Sequence, residues 1–180
     1  MKIVPTHLSG VHVIHLTTHN DKRGCFTETF NAAEFYKHGL PVYFLQDNQS
    51  VSHKNVLRGI HYQLKEPQGK LVRVVGDGRI FDVAVDLRRS SPTFGEWYGQ
   101  ILDCNTMMYI PAGFGHGFLT LSDYVFVNYK CTTLYDKSSE RVLRWDDPTV
   151  NINWPEATSS CIMSEKDRGG LPLSRLEVFE

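Results

Sequence analysis

No apolar run in this 180-residue sequence approaches the roughly 20 residues that cross a bilayer. The opening MKIVPTHLSG lacks the apolar stretch and small-residue cleavage site of a secretory signal. Charge of one sign is also missing. Lys plus Arg number 19 against 20 Asp plus Glu, for a net charge of −1 and an isoelectric point near 6.7. No basic surface therefore recommends nucleic acid, and an anionic small ligand would need a local cluster of Arg and Lys. Cysteine is sparse and scattered at Cys25, Cys104, Cys131 and Cys161, with no C-x-x-C pair. That spacing excludes a zinc ribbon, argues against a disulfide framework and fits free thiols in a reducing cytoplasm. There is no G-x-S-x-G elbow, no P-loop and no G-x-G-x-x-G turn, so hydrolase, NTPase and dinucleotide-binding signatures are absent.

Helical periodicity is scarce too. Only Ala32–His38, stopped by Gly39-Leu40-Pro41, reads as a helix. What is present is strand. Alternating or β-branched runs recur at Val11–Thr17, Cys25–Phe30, Tyr43–Val51, Leu57–Gln63, Lys70–Val75, Arg79–Leu87, Trp97–Leu102, Thr106–Ile110, Gly117–Leu121 and Val125–Leu134. Gly76-Asp77-Gly78 reads as the hairpin turn between two of them. Short strands with almost no helix to make crossovers predict an antiparallel sandwich or barrel. In the last quarter, Asp146-Asp147-Pro148 is a turn, Ile152–Pro155 a short apolar anchor and Ser164–Arg168 a polar loop or helical turn. Neither repeat nor linker interrupts the chain, so residues 1–180 are expected to form one domain.

Two segments carry chemistry. In Met108–Phe118, MYIPAGFGHGF, the pattern Pro111-x-Gly113-x-x-His116 is a rigid turn that delivers a histidine to the start of a strand. It resembles the second motif of cupin barrels. A metal cupin would need two histidines one residue apart and a glutamate in the earlier motif, where this chain has His61-Tyr62-Gln63. No three-histidine, one-carboxylate site can be assembled, and no metal is expected. In Val56–Gln63, VLRGIHYQ, strand alternation places Leu57, Gly59, His61 and Gln63 on one face, with Gly59 leaving room for a ligand beside His61. A neutral histidine there is a good general base, although a hydrogen-bonded core histidine fits the local pattern equally well.

Three further groups stand out. Lys70, Val72 and Val74 alternate with Leu71, Arg73 and Val75, so one face either buries a cation or turns it toward a cavity. Tyr129 shares a face with Val125 and Val127, and a buried phenol needs a partner or can donate a proton. Arg23 and Arg58, each beside a glycine, suit either an anion clamp or a solvated surface. Asp82, Asp86, Arg88 and Arg89 read as a structural charge network.

Taken together, DKRGCFTETF, QDNQSVSHKNVLRGIHYQ, QGKLVRVVGDGRIFDVAVDLRRSSPTFGEW, YIPAGFGHGFLTLSD, NYKCTTLYDKSSERVLRWDDP and SEKDR resemble the dTDP-4-dehydrorhamnose 3,5-epimerase family, in order across most of residues 21–168. The resemblance implies a mostly β, cupin-like jelly-roll sandwich with short peripheral helices. It implies a homodimer that uses neither metal nor nicotinamide and binds no nucleic acid or membrane. The activity implied is inversion at C3, C5 or both, flanking the C4 ketone of a nucleoside-diphosphate 4-keto-6-deoxyhexose. A nucleotide-sugar-binding cupin without catalysis is the rival, opposed by the presence of both His61 and Tyr129.

By the same resemblance, His61 is the base, Asp167 of SEKDR its orienting carboxylate, Lys70 the cation facing the C4 oxygen, and Tyr129 the acid on the opposite face. Arg23 and Glu28 resemble nucleotide-side contacts donated across a dimer. Gln46-Asp47-Asn48, Arg58, Gln63, His116, Glu140 and Lys166 match further substrate-binding positions, and Tyr135 an aromatic lining the sugar pocket. Gly115 stands where Ala is common, and Leu134-Tyr135 replaces a common aromatic pair. Both departures are expected to bear on how the sugar sits.

Overall fold

The computed structural model describes residues 1–155 and 160–180. Two antiparallel sheets face each other. One is ordered β1 (Lys2–Pro5), β2 (His12–His15), β10 (Thr106–Ile110), β7 (Lys70–Val75), β12 (Tyr124–Cys131) and β5 (Gln46–His53). The other is ordered β13 (Glu140–Val142), β6 (Leu57–Gln63), β11 (Phe114–Thr120), β8 (Ile80–Asp86) and β9 (Trp97–Leu102). Strands β3 (Thr18–Asp21) and β4 (Gly24–Thr27) pair only with each other. Helices α1 (Ala32–Lys37) and α2 (Glu165–Arg168) lie at the periphery. This is the mostly β, cupin-like jelly-roll sandwich that the sequence implies.

Alternation fills the space between the sheets. Val72 and Val74 of β7, Val125 and Val127 of β12, Ile80 and Ala84 of β8, and Phe114 and Phe118 of β11 form one buried core. The opposite residues serve outer layers. Val83 and Val85 meet Leu173 and Leu176 of the C-terminal segment, while Leu71 and Met107 meet Phe35 of α1. Asn31 caps α1 by accepting from the Ala33 and Glu34 amides, which aims Phe35 at that layer. Truncating so buried a phenylalanine to alanine typically costs about 3–5 kcal/mol.

Strands β6, β7, β9 and β10 occupy the residues expected of them. Three expectations are corrected. Gly76–Gly78 does not close a hairpin, because β7 and β8 belong to different sheets and the turn carries the chain between layers. The strand expected at Val11–Thr17 shortens to β2, because β1, unrecognised in the sequence, pairs with His12–His15 and the chain then leaves the sheet for β3. The four charged residues of β8 and its exit form no single network. Asp86 holds Arg88, Ser91 and Thr93, whereas Arg89 reaches Glu180 and Asp82 goes to His116.

Candidate active site

At one end of the sandwich the inner-face positions turn from apolar to polar. On β7, Val74 and Val72 give way to Lys70; on β12, Val125 and Val127 give way to Tyr129; on β11, His116 is set between the core residues Phe114 and Phe118. The result is a cavity of about 740 Å³ between the sheets, lined by polar side chains together with Val56, Leu57 and Phe118. Its lining includes His61, Lys70, His116, Tyr129 and Asp167, which the sequence scatters over more than 100 positions.

His61 reaches the cavity through an irregularity. Pairing passes from His116↔His61 to Phe118↔Arg58, two residues on β11 against three on β6. The extra residue brings both Arg58 and His61 to the cavity, which plain alternation would not do. Gly59 occupies the bulge at φ +113°, and a Cβ there would lie 2.6 Å from the Gly117 Cα. The room expected beside His61 for a ligand is therefore filled by the neighbouring strand. Gly115 faces away, since a Cβ there would meet Ile60 and Leu87 of the outer layer, so this departure leaves the cavity wall unchanged.

The Nε2 of His61 lies 2.5 Å from Asp167 Oδ1. An ionised carboxylate only accepts, so Nε2 carries the proton and Nδ1 is the ring nitrogen left to take another. Asp167 is held by α2. Ser164 caps that helix by accepting from the Asp167 amide, and its hydroxyl donates to Asp167 Oδ2 at 2.8 Å. Burial pushes the Asp167 carboxyl up, but His61, Ser164 and the Gly59 backbone outweigh it and hold it below its ordinary value. The S-x-x-D spacing of Ser164 and Asp167 is a helix-start signal readable in the sequence.

Lys70 and Tyr129 face this dyad from the other sheet. The Lys70 ammonium is 6.0 Å from the centre of the Tyr129 ring, and among the described residues no carboxylate lies within ion-pair distance of it. Burial lowers the Lys70 pKa. Burial, with the nearby Cys131, raises that of Tyr129, so the phenol stays protonated. His116 Nε2 lies 2.7 Å from Asp82 Oδ1, deep in the wall.

Gln46, Asn48, Arg58, Gln63, Tyr135, Glu140 and Lys166 also line the cavity. Glu140 joins two of them, accepting from the Tyr135 hydroxyl at 2.8 Å and from Lys166 Nζ at 2.9 Å. Burial together with Glu140 pushes the Tyr135 phenol up to about 12. Gln63 spends its amide on backbone, with Nε2 on the carbonyls of Lys65, Glu66 and Leu134, and Oε1 on the Asp136 amide. It brackets Tyr135, whose own amide donates to Gln46 Oε1 at 2.8 Å.

Three of the residues named from the sequence lie outside. Alternation along β5 turns Asp47 to the opposite face, where it meets Lys130. Arg23 pairs with Asp21 in the β3–β4 hairpin, and Glu28, just beyond it, accepts from Asn31. The cavity also takes in Gln68, Ile162, Met163 and Ser164, for which the sequence offered no reading beyond a polar loop or helical turn at Ser164.

The sequence model of the dTDP-4-dehydrorhamnose 3,5-epimerase family matches residues 5–175. The chain belongs to that family. It is 50% identical to a dTDP-4-dehydrorhamnose 3,5-epimerase of Methanothermobacter thermautotrophicus, over 99% of this chain and 97% of that protein. It superimposes with a TM-score of 0.93, at 41% identity, on a dTDP-6-deoxy-D-glucose-3,5-epimerase from Legionella pneumophila in complex with dTDP-4-keto-L-rhamnose, covering 98% of this chain and 94% of that one. A dTDP-4-dehydrorhamnose 3-epimerase of Streptomyces niveus is 36% identical over 97% of this chain and 84% of its own length. Among the described residues no helix is long and apolar enough to cross a membrane.

Proposed function

We propose that this protein inverts both C3 and C5 of a dTDP-linked 4-keto-6-deoxyhexose. The observation that carries the reading is the arrangement of one cavity. The His61–Asp167 dyad stands on one sheet and its helical flank, and Lys70 and Tyr129 stand on the facing sheet. Inversion requires a base and an acid on opposite faces of one carbon, and two facing sheets supply them.

The proton on carbon α to the C4 ketone passes to His61 Nδ1. The C–H electrons move into a carbon–carbon double bond and charge gathers on the C4 oxygen. Asp167 steadies the imidazolium, and the Lys70 ammonium faces the enolate. Tyr129 then delivers its hydroxyl proton to the same carbon from the other side. No oxidation state changes, so the route calls for no nicotinamide, and the Lys70 ammonium supplies the positive charge at the enolate oxygen. Gln46, Asn48, Arg58, Glu140 and Lys166 form the nucleotide-side rim, Tyr135 stands where that rim meets the sugar, and His116 is at the sugar end.

Inversion at two centres is favoured over one because the 3,5-epimerase relative stands at 50% identity and the 3-epimerase at 36%. The 180 residues work as one domain, as a homodimer in a reducing cytoplasm. Support for the dimer is the placement of Arg23 and Glu28 outside their own cavity, on and just beyond a hairpin that pairs with neither main sheet. The free thiols of Cys25, Cys104 and Cys131 support the compartment.

The test is solvent-deuterium incorporation into dTDP-4-keto-6-deoxyglucose, followed by NMR. Deuterium is expected at both C3 and C5 with inverted product. Incorporation at C3 alone would make this a 3-epimerase, and none at either carbon would overturn the reading.

A further inference from the structure

The interior holds a second imidazole–carboxylate pair that takes no part in the proton path above. Asp82 lies on β8 between Ile80 and Ala84, positions that belong to the apolar core between the sheets. It is 0% exposed. Its Oδ1 takes the His116 Nε2–H at 2.7 Å, while its Oδ2 is buried without a hydrogen-bond partner among the described residues. A core carboxylate with one oxygen idle is expensive, and an apolar side chain would fill the position better. Some charge must compensate it.

Lys70 is the complementary anomaly. It is a cation facing the same interior from β7, with no ion-pair partner among the described residues. Other groups face it from every side. Cys131 and Tyr129 come from β12, His61 from β6, His116 from β11, Glu140 from β13 and Lys166 from α2. Burial keeps Cys131 and Tyr129 protonated, Lys166 repels, and Glu140 already holds Lys166 and Tyr135. Asp82 is left as the carboxylate with no other cation to serve; burial pushes its pKa up and that of Lys70 down, and each of the two favours the charged form of the other against that push.

We propose that Asp82 is the standing counter-charge of Lys70, a positioning residue that keeps the ammonium charged before the enolate forms. The assignment rests on the epimerase reading. His116, donating to Asp82, fixes the carboxylate so that the field it exerts has one direction.

Asp82→Asn removes the charge and keeps both the shape and an acceptor for His116. Relative to wild type, KM should stay within about twofold and kcat near neutrality should fall by about 10²-fold. The alkaline limb of the kcat profile should move to lower pH by about one to three units, with activity partly recovered as pH is lowered and Lys70 recharges. A variant whose kcat falls equally at every pH, or whose profile superimposes on wild type, overturns the proposal. Thermal unfolding provides a reading independent of turnover. Lys70→Met should destabilise by stranding Asp82, and Lys70→Met/Asp82→Asn should recover the loss. Strictly additive losses, or failure of both variants to fold, count against the pairing. If wild type itself exchanges no deuterium, the epimerase reading fails. If wild type turns over and only the Asp82 predictions fail, the counter-charge assignment alone is lost.

Discussion

His61 and His116 stand directly opposite each other on β6 and β11, yet their Nε2 atoms are taken by carboxylates from different elements, Asp167 of α2 at 2.5 Å and Asp82 of β8 at 2.7 Å. The two rings differ in access. The His61 side chain is 25% exposed and the His116 side chain 6%. Burial lowers the His116 pKa against the pull of Asp82, so that ring stays neutral in the wall while His61 meets whatever fills the cavity. The same chemical pair is thus open to the cavity in one case and closed within the wall in the other.

Removing each end of the proton path should give different losses. His61→Ala should abolish both inversion and exchange of the C3 proton with solvent, by about 10²–10⁴-fold. Tyr129→Phe should abolish inversion while exchange from the starting epimer survives, because His61 can return solvent-derived hydrogen to the face it came from. NMR of the substrate in deuterated buffer separates the two. Inversion by Tyr129→Phe at the wild-type rate would make another group the acid, with Tyr135 the first to try.

Gln63 acts through the loop it grips. Its amide bonds flank Tyr135, so Gln63→Leu should free that loop and strand buried backbone groups, at about 1–3 kcal/mol. The affinity for dTDP should weaken by about tenfold or more, and kcat much less, because neither His61 nor Tyr129 moves. Calorimetric titration with dTDP measures it. Wild-type affinity in Gln63→Leu would show that Tyr135 is held by other means.

The outer face of the six-stranded sheet should join two copies. Phe126, paired with Val51 on one side and Val75 on the other, is 42% exposed and Val51 45%. Nearby, Arg73 Nε and Asn128 Oδ1 are buried without partners among the described residues. Such an apolar patch with idle polar atoms suits a self-complementary contact. Light scattering at micromolar concentration should give a dimer. Phe126→Asp should give a monomer with weakened nucleotide binding, since Arg23 and Glu28 would then be lost to the partner's cavity. A monomeric wild type would refute this arrangement.

Local periodicity carried a great deal. The period-2 patterns of β6, β7, β9 and β10 set their limits, and that of β12 put Tyr129 on the face of Val125 and Val127, because which way a side chain points along a strand depends only on its neighbours in the chain. The turn Pro111-x-Gly113-x-x-His116 was legible for the same reason. Resemblance to a family then supplied roles for His61 and Asp167, whose contact spans 106 positions and has no local signal.

Pairing between distant segments decided the rest. Only the register of β6 against β11 shows that three residues oppose two there, which brings Arg58 and His61 to the same cavity and gives the space at Gly59 to Gly117. Only the sheet order shows that Gly76–Gly78 crosses between layers, and that Asp82 leaves its neighbours Asp86 and Arg88 to meet His116 and the field of Lys70. Alternation states which residues share a face, but not which strand lies opposite. The burial that isolates the Asp82 carboxylate comes from the opposing sheet, which contributes nothing to the local pattern.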